Sequence, residues 1–240
     1  MTSFDLFHRS YDRVNKEEGI LLVDKDRGHS AFYLVKLLCR RTNIKKIGHA
    51  GILDPFATGV MVMLIGRPYT RMSNRFLNDD KEYIATLKFG IATDTFDCDG
   101  QITHKNSYIP SLCEVEAAIS TFQGFIKQIP PMFSAKKING QKLCVLARKG
   151  IEIERNPIQI NIFIKILEYS YPQLTICVTC SKGTYIRTLA HDIGLKLRCF
   201  AHLIELKRTR SGAFLLEDCI DVKSLFDPSF SYIPYLRKGV

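Results

Sequence analysis

Hydrophobic residues enter this chain in short runs whose period changes from one run to the next. Residues 19–23 form an apolar run of strand length, closed by the charged turn 24–28. Ser30 stands where an N-cap belongs, ahead of Ala31, Leu34, Val35 and Leu38 on one face of a predicted helix. The outer side and exit of that helix carry Lys36, Arg40, Arg41, Lys45 and Lys46. Such a run is ordinarily a solvated face; beside a catalytic loop it can equally follow phosphates. After a glycine-rich loop at 48–59, the wholly apolar stretch 60–65 predicts a buried strand. Pro68 suits the first turn of a helix expected to reach about residue 77. Residues 81–89 alternate as a strand that carries Tyr83. Ser111 and Glu114 have the spacing of a capping box, for a helix to Phe122 with Gly124 as its stop. Two long strands, 158–171 and 173–180, flank a turn at Tyr171 and Pro172. A helix over 186–197 turns Ile186, Leu189, Ala190, Ile193 and Leu197 inward, and a last strand covers roughly 203–210. Beyond it, 221–226 reads as a short helix. Strands and helices mix without the regular alternation of a doubly wound sheet, which predicts an α+β fold with a largely antiparallel sheet.

Composition narrows the setting. With 240 residues, 46% of them hydrophobic, the chain can build a sizeable core and falls between one large domain and two small ones. No low-complexity tract, linker or internal period divides it. Lys and Arg number 34 against 24 Asp and Glu, and the net charge of +10 favours a polyanionic partner through long-range attraction and counterion release. The 8 cysteines are scattered. Cys177 and Cys180 form the only C-x-x-C, and strand alternation there sends positions three apart to opposite faces, which suits neither a zinc pair nor a redox motif. Residues 1–11 have no apolar core of signal-peptide type, and no apolar stretch approaches the roughly 20 residues of a membrane span. These features predict a reducing, cytoplasmic setting. No apolar heptad or partner face stands out, so a monomer is expected.

Chemistry concentrates in two segments. The first is Gly48-His49-Ala50-Gly51-Ile52-Leu53-Asp54-Pro55-Phe56-Ala57-Thr58-Gly59-Val60. Glycines around one carboxylate let a ligand backbone approach, and Pro55 fixes the turn after Asp54. Taken alone, an Asp before Pro in a loop reads as a turn residue more readily than as a nucleophile. The second segment, Cys180-Ser181-Lys182-Gly183-Thr184-Tyr185-Ile186-Arg187, ends a strand, turns at Gly183 and puts Arg187 in the first turn of a helix. A cation there is unfavourable unless an anion lies close. Asp54 would satisfy it with a bidentate pair; an exposed Arg would need no partner.

The Asp54 loop resembles the signature G-H-x-G-x-L-D-P-x-A-T-G-V of the bacterial tRNA pseudouridine-55 synthase (TruB) family. The likeness continues in consistent order from about Gly19 to Gly212. Lys81-Glu82-Tyr83 is similar to the family's K-x-Y motif, and Thr93-Asp94-Thr95 with Asp97 and Gly100 to its T-D-T-x-D-x-x-G segment. Gln128-Ile129-Pro130-Pro131-Met132-Phe133-Ser134-Ala135-Lys136, then Gly140 and Ala147-Arg148-Lys149-Gly150, resemble its RNA-gripping insertion, placed at about 124–157. Ala190-His191-Asp192-Ile193-Gly194 and Arg208-Thr209-Arg210-Ser211-Gly212 complete the series. The resemblance implies a pseudouridine-synthase fold and an isomerase that converts uridine 55 in the T-loop of tRNA to pseudouridine without cofactor or metal. It implies Asp54 as the catalytic carboxylate, attacking either ribose C1′ or uracil C6. Tyr83 would stack on the flipped base and help deprotonate C5, and Arg187 would pair with Asp54 and orient it. Leu206 would be an apolar wall of the pocket and Lys25 a supporting basic residue. His49 would fill the space left by the flipped nucleotide, where an imidazole can stack and hydrogen-bond. Lys136, Lys137, Lys142, Arg148, Lys149 and Arg155 would give the insertion a cationic face for the T-arm backbone.

The chain departs from the family pattern in places. Asp26 follows Lys25 where Pro is usual, His29-Ser30 stands for Thr-Ser, Phe133 replaces the Tyr of P-P-x-Y-S-A, and Cys144 replaces a common Tyr. Altered packing or RNA affinity is expected from these, with the chemistry kept. A single catalytic domain over 1–240 is expected, without the C-terminal RNA-binding (PUA) domain that relatives commonly carry, since about 28 residues follow Gly212. Three other readings compete: a tRNA-binding or tRNA-folding module, a hydrolase using Asp54 with His49 or His191, and an enzyme of ribosomal RNA. Asp54, Tyr83 and Arg187 together favour catalysis, because a pure binder of phosphate-rich RNA gains nothing from a carboxylate facing it.

Overall fold

The structure, a computed structural model, describes residues 17–239 apart from 139. The segment 1–11, read above for a leader, lies outside the described residues. In chain order the strands begin with β1 (Gly19–Lys25), β2 (Ile47–His49), β3 (Thr58–Ile65), β4 (Lys81–Phe89), β5 (Ile91–Thr93), β6 (Ile102–Lys105) and β7 (Gly124–Gln128). They continue with β8 (Lys137–Ile138), β9 (Gln141–Lys142), β10 (Ile158–Ser170), β11 (Gln173–Cys180), β12 (Ala201–Ser211), β13 (Phe214–Leu215) and β14 (Ile220–Asp221). The helices are α1 (Ala31–Thr42), α2 (Arg67–Arg71), α3 (Ser73–Leu77), α4 (Leu112–Ser120), α5 (Leu143–Ala147) and α6 (Ile186–Lys196). Among the described residues no helix is long and apolar enough to cross a membrane.

One sheet dominates, ordered β14-β1-β3-β12-β4-β11-β10-β7, with β2 beside β3 and β13 beside β12. Its pairings are antiparallel except β1 with β14 and β12 with β3. The class is α+β with a largely antiparallel sheet, as the pattern of runs predicted. From Val60 onward strand β3 is apolar because both its faces are covered. Met61, Met63 and Ile65 join the main core with Leu34 and Leu38 of α1 and Leu189 and Ile193 of α6. Val60, Val62 and Leu64 instead meet Phe76 and Phe214 in a smaller second core.

Local signals are realised where they are self-contained. Ser30 accepts the Tyr33 N–H at the start of α1, and Ser111 with Glu114 closes a capping box on α4. Four expected boundaries move. Asp24 and Lys25 belong to β1, because they pair with Val60 and Gly59 of β3 before the turn begins. Strands β2 and β3 absorb both ends of the glycine-rich loop, leaving 50–57 as the true connection. The single helix expected from Pro68 is two short ones, since Met72 bonds back to the Tyr69 carbonyl in a tight three-residue turn. Helix α4 stops at Ser120, where Thr121 turns its hydroxyl onto the Ala118 carbonyl, and Gly124 opens β7 instead of ending the helix. The tail segment near 221–226 is a 3₁₀ turn, Val222–Phe226.

The parallel step between β12 and β3 positions the loop. Gly59 lies opposite Arg208 with φ +103°, and a Cβ there would overlap the Arg208 carbonyl oxygen and sit 2.7 Å from its amide nitrogen. Only glycine lets the two backbones approach this closely.

Candidate active site

The loop 50–57 is held from behind by two buried cations. Lys25, with no exposed surface, donates its ammonium to the carbonyls of Asp26, His29 and Pro55 at 2.9, 2.8 and 3.2 Å. Burial pushes the Lys25 amine down to about 8, against an opposing pull from the nearby Asp54 charge. Arg208 donates Nε to the Val60 carbonyl at 2.8 Å and its two Nη atoms to Ile52 and Gly51 at 3.4 Å. The Gly28 N–H adds a 2.8 Å bond to the Pro55 carbonyl. Loop carbonyls that would otherwise be unpaired are satisfied, and Asp54 is carried on a rigid support.

The two segments singled out in the sequence meet. Arg187 Nε lies 2.7 Å from Asp54 Oδ2, and its Nη2 lies 3.4 Å from Asp54 Oδ1. The same guanidinium reaches Asp97 Oδ2 at 3.4 Å and donates to the Thr95 and Phe133 carbonyls at 2.9 and 2.8 Å. Its side chain is 6% exposed, Asp97's 7% and Asp54's 34%. Arg187 is thus a buried hub with two carboxylates, of which Asp54 is the open one. Burial raises the Asp97 carboxyl above its ordinary value, while a 2.6 Å hydrogen bond from the Thr95 hydroxyl and the charge of Arg187 restrain the rise.

Asp54 faces a cavity of about 520 Å³, lined also by Tyr83, Leu206, Arg187, Ser134 and Tyr185. That volume is typical of a small-molecule site. Tyr83 comes from the first part of β4, opposite Arg208 in β12 and Val178 in β11. Burial raises its phenol above the ordinary value, with the charge of Arg208 pulling the other way. The apolar wall and the phenol would receive a planar ring, with the carboxylate at its edge.

Other candidates fall differently. Arg148 lines the cavity from just beyond α5, whereas Lys136 lies half-buried in the insertion and outside the lining. Lys137, Lys142 and Lys149 are exposed, and Arg155 is committed to Glu152 at 2.8 Å. His49 sits half-buried on β2, outside the lining, and burial lowers its pKa. His191 stacks on Phe96 at 3.9 Å and is also outside the lining. Neither histidine supports the hydrolase reading. Arg41, in the basic run read above as either a solvated face or a phosphate track, donates to the Asp227 and Phe230 carbonyls at 2.9 and 2.8 Å and clamps the tail to α1.

Asp97 and Arg208 were visible in the sequence only as motif letters. The place of Arg208 opposite Tyr83 follows only from the pairing of β12 with β4. The Thr95 and Phe133 carbonyls had none, because every residue carries that group.

Two family models divide most of the chain between them, and both describe pseudouridylate synthases. Residues 39–186 match the N-terminal domain of the TruB family pseudouridylate synthases, and 187–234 match the tRNA pseudouridylate synthase B C-terminal domain. The chain belongs to the TruB family. It is 57% identical over 204 residues to the tRNA pseudouridine synthase B of Protochlamydia amoebophila, covering 85% of this chain and 78% of that protein. To the protein of the same name from Chlamydia pneumoniae it is 53% identical over 224 residues, 93% and 95% of the respective chains. Among solved structures it is similar to a Cbf5-Nop10-Gar1 complex, with TM-score 0.69 and 26% identity. That likeness covers 90% of this chain and 58% of the other, so the chain spans a little over half of that protein.

Proposed function

We propose that the protein isomerises uridine to pseudouridine in tRNA, at position 55 of the T-loop, acting as a monomer in the cytoplasm. The observation that carries the reading is Asp54, held by Arg187 at 2.7 Å and opening on a cavity walled by Tyr83 and Leu206. The names of the relatives support the substrate.

The target nucleotide must leave its stack before Asp54 can reach it. Asp54 attacks C1′ or C6, the N1–C1′ bond breaks, and the uracil turns so that C5 faces C1′. C5 then bonds to C1′ and Asp54 leaves as a free carboxylate, displaced from C1′ by that attack or, from a C6 adduct, eliminated after it; the C5 proton is lost while N1 gains one. Atoms and electrons balance without an oxidant or reductant. Tyr83 stacks on the ring, and its hydroxyl relays the C5 proton. Arg187 orients Asp54 while that side chain is a carboxylate. When Asp54 is esterified and neutral, Asp97 still balances the buried guanidinium, so no uncompensated charge appears along the reaction. Arg148 and Lys136, with the insertion at about 124–157, grip the T-arm backbone.

Carbodiimide mapping of a tRNA transcript by primer extension tests the substrate. A new stop at uridine 55 after incubation with the protein is expected; no stop, or stops only elsewhere, would overturn the assignment.

A further inference from the structure

Helix α1 carries a surface that the cavity does not use. Ala31, Leu34, Leu38 and Thr42 face the core, which leaves Phe32, Tyr33, Lys36 and Arg40 exposed on the other side. Phe32 is 62% exposed, and the Lys36 ammonium rests 4.8 Å from the centre of its ring. Tyr33 is 37% exposed and stacks on His29, the ring centres 4.4 Å apart and the planes 9° from parallel. One exposed aromatic residue is ordinary. Here two open rings, a stacked imidazole and two cations lie along one helix face, and α1 contains no acidic residue.

This surface is fastened to the mouth of the cavity. The His29 carbonyl accepts from Lys25, which also holds Pro55. Gly28 donates to the Pro55 carbonyl, and Pro55 lines the cavity. Exposed Arg27 reaches Cys98 Sγ at 3.2 Å, between the cavity-lining residues Asp97 and Asp99. The start of α1 is thus joined by hydrogen bonds to Pro55 in the cavity lining.

We propose that the face built by His29, Phe32, Tyr33 and Lys36 is a stacking platform for unpaired nucleotides of the substrate tRNA outside the target base, an inference that rests on the tRNA reading above. Aromatic rings accept any base by its π-face, and interleaved cations take the adjoining phosphates. Charge complementarity points the same way: Arg27, Lys36 and Arg40 are exposed and the chain carries a net +10. A neutral protein partner would gain nothing from those cations.

The chain contains no tryptophan, so Phe32→Trp introduces a single fluorescent reporter at the platform. Titration with tRNA transcript should quench the indole with the same midpoint as binding measured by filter retention. Phe32→Ala/Tyr33→Ala should weaken tRNA binding about tenfold, the lower part of the range for one stacked base, and leave the salt slope unchanged. Lys36→Gln should instead lower that slope by about one. Single-turnover conversion at saturating tRNA should stay at the wild-type rate in all three. An unquenched indole on a protein that binds tRNA, or wild-type affinity in the double variant, overturns the platform. A wild-type protein that binds tRNA but forms no pseudouridine sinks the functional reading instead, and quenching then still upholds the platform.

Discussion

Replacing Arg187 by Met tests whether the guanidinium is the electrostatic hub of the site. Met keeps the apolar stem but withdraws the cation from two carboxylates and two carbonyls. Asp97, 7% exposed, then loses its buried counter-charge. Removing one member of a buried pair costs about 3–5 kcal/mol, and the protein can escape part of that by protonating the carboxyl left behind. Burial already holds the folded-state pKa of Asp97 above the ordinary 3.8, and without Arg187 it rises further. The folded variant then binds a proton that the unfolded chain releases, so its stability falls as pH rises through that window. The deficit against wild type is full above the raised value and shrinks toward acid. Urea denaturation should therefore show a loss of about 3–5 kcal/mol at pH 8 and a loss smaller by at least about 1 kcal/mol at pH 5. Arg187→Met/Asp97→Asn should regain part of the deficit at pH 8, because contacting residues do not behave additively. A loss under about 1 kcal/mol at pH 8, or an equal loss at both pH values with no rescue, would refute the hub.

Gly59→Ala forces a Cβ into the Arg208 backbone at φ +103° and should cost about 2–4 kcal/mol, or roughly 5–15 °C in Tm; a melt within about 2 °C of wild type, a loss of no more than about 1 kcal/mol, would count against the close approach. Asp192 is raised to about 6 by burial, so it opposes stability increasingly as pH climbs from about 4 to about 6. Asp192→Asn should stabilise by about 1–2 kcal/mol at pH 7.5, discounted for partial exposure, and not at all at pH 4; a difference independent of pH in urea titrations speaks against it. Tyr83→Phe keeps the ring but removes the hydroxyl, so tRNA affinity should hold within about threefold while single-turnover conversion slows by about a hundredfold or more. A wild-type rate in that variant would remove the proton relay.

How much of this could be read from the chain depends on the range of the interaction. The caps at Ser30 and Ser111 are local hydrogen bonds between residues three apart, so composition and spacing are enough to find them. The Arg187–Asp54 pair spans 133 residues, yet an Arg at a helix start asks for an anion, and the glycine-rich loop offered one. The position of β12 between β3 and β4 has no such local cue, because it is decided by pairing between distant segments. Arg41 shows the limit most plainly. In sequence it continues a basic helix face; in the fold a tail some 186 residues away presents the carbonyls that bind it. Lys25 was expected as a supporting base by resemblance, but its full burial beneath Pro55 follows only from the pairing of β1 with β3.

The central claim is that Asp54 performs the isomerisation, and tritium release from tRNA transcript labelled with 5-³H-uridine tests it most directly. Forming the C5–C1′ bond expels the C5 hydrogen, so wild-type protein should release tritium to solvent. Asp54→Asn should bind the same tRNA and release none. Release by the Asn variant at the wild-type rate, or none by wild type despite tight binding, would contradict the account.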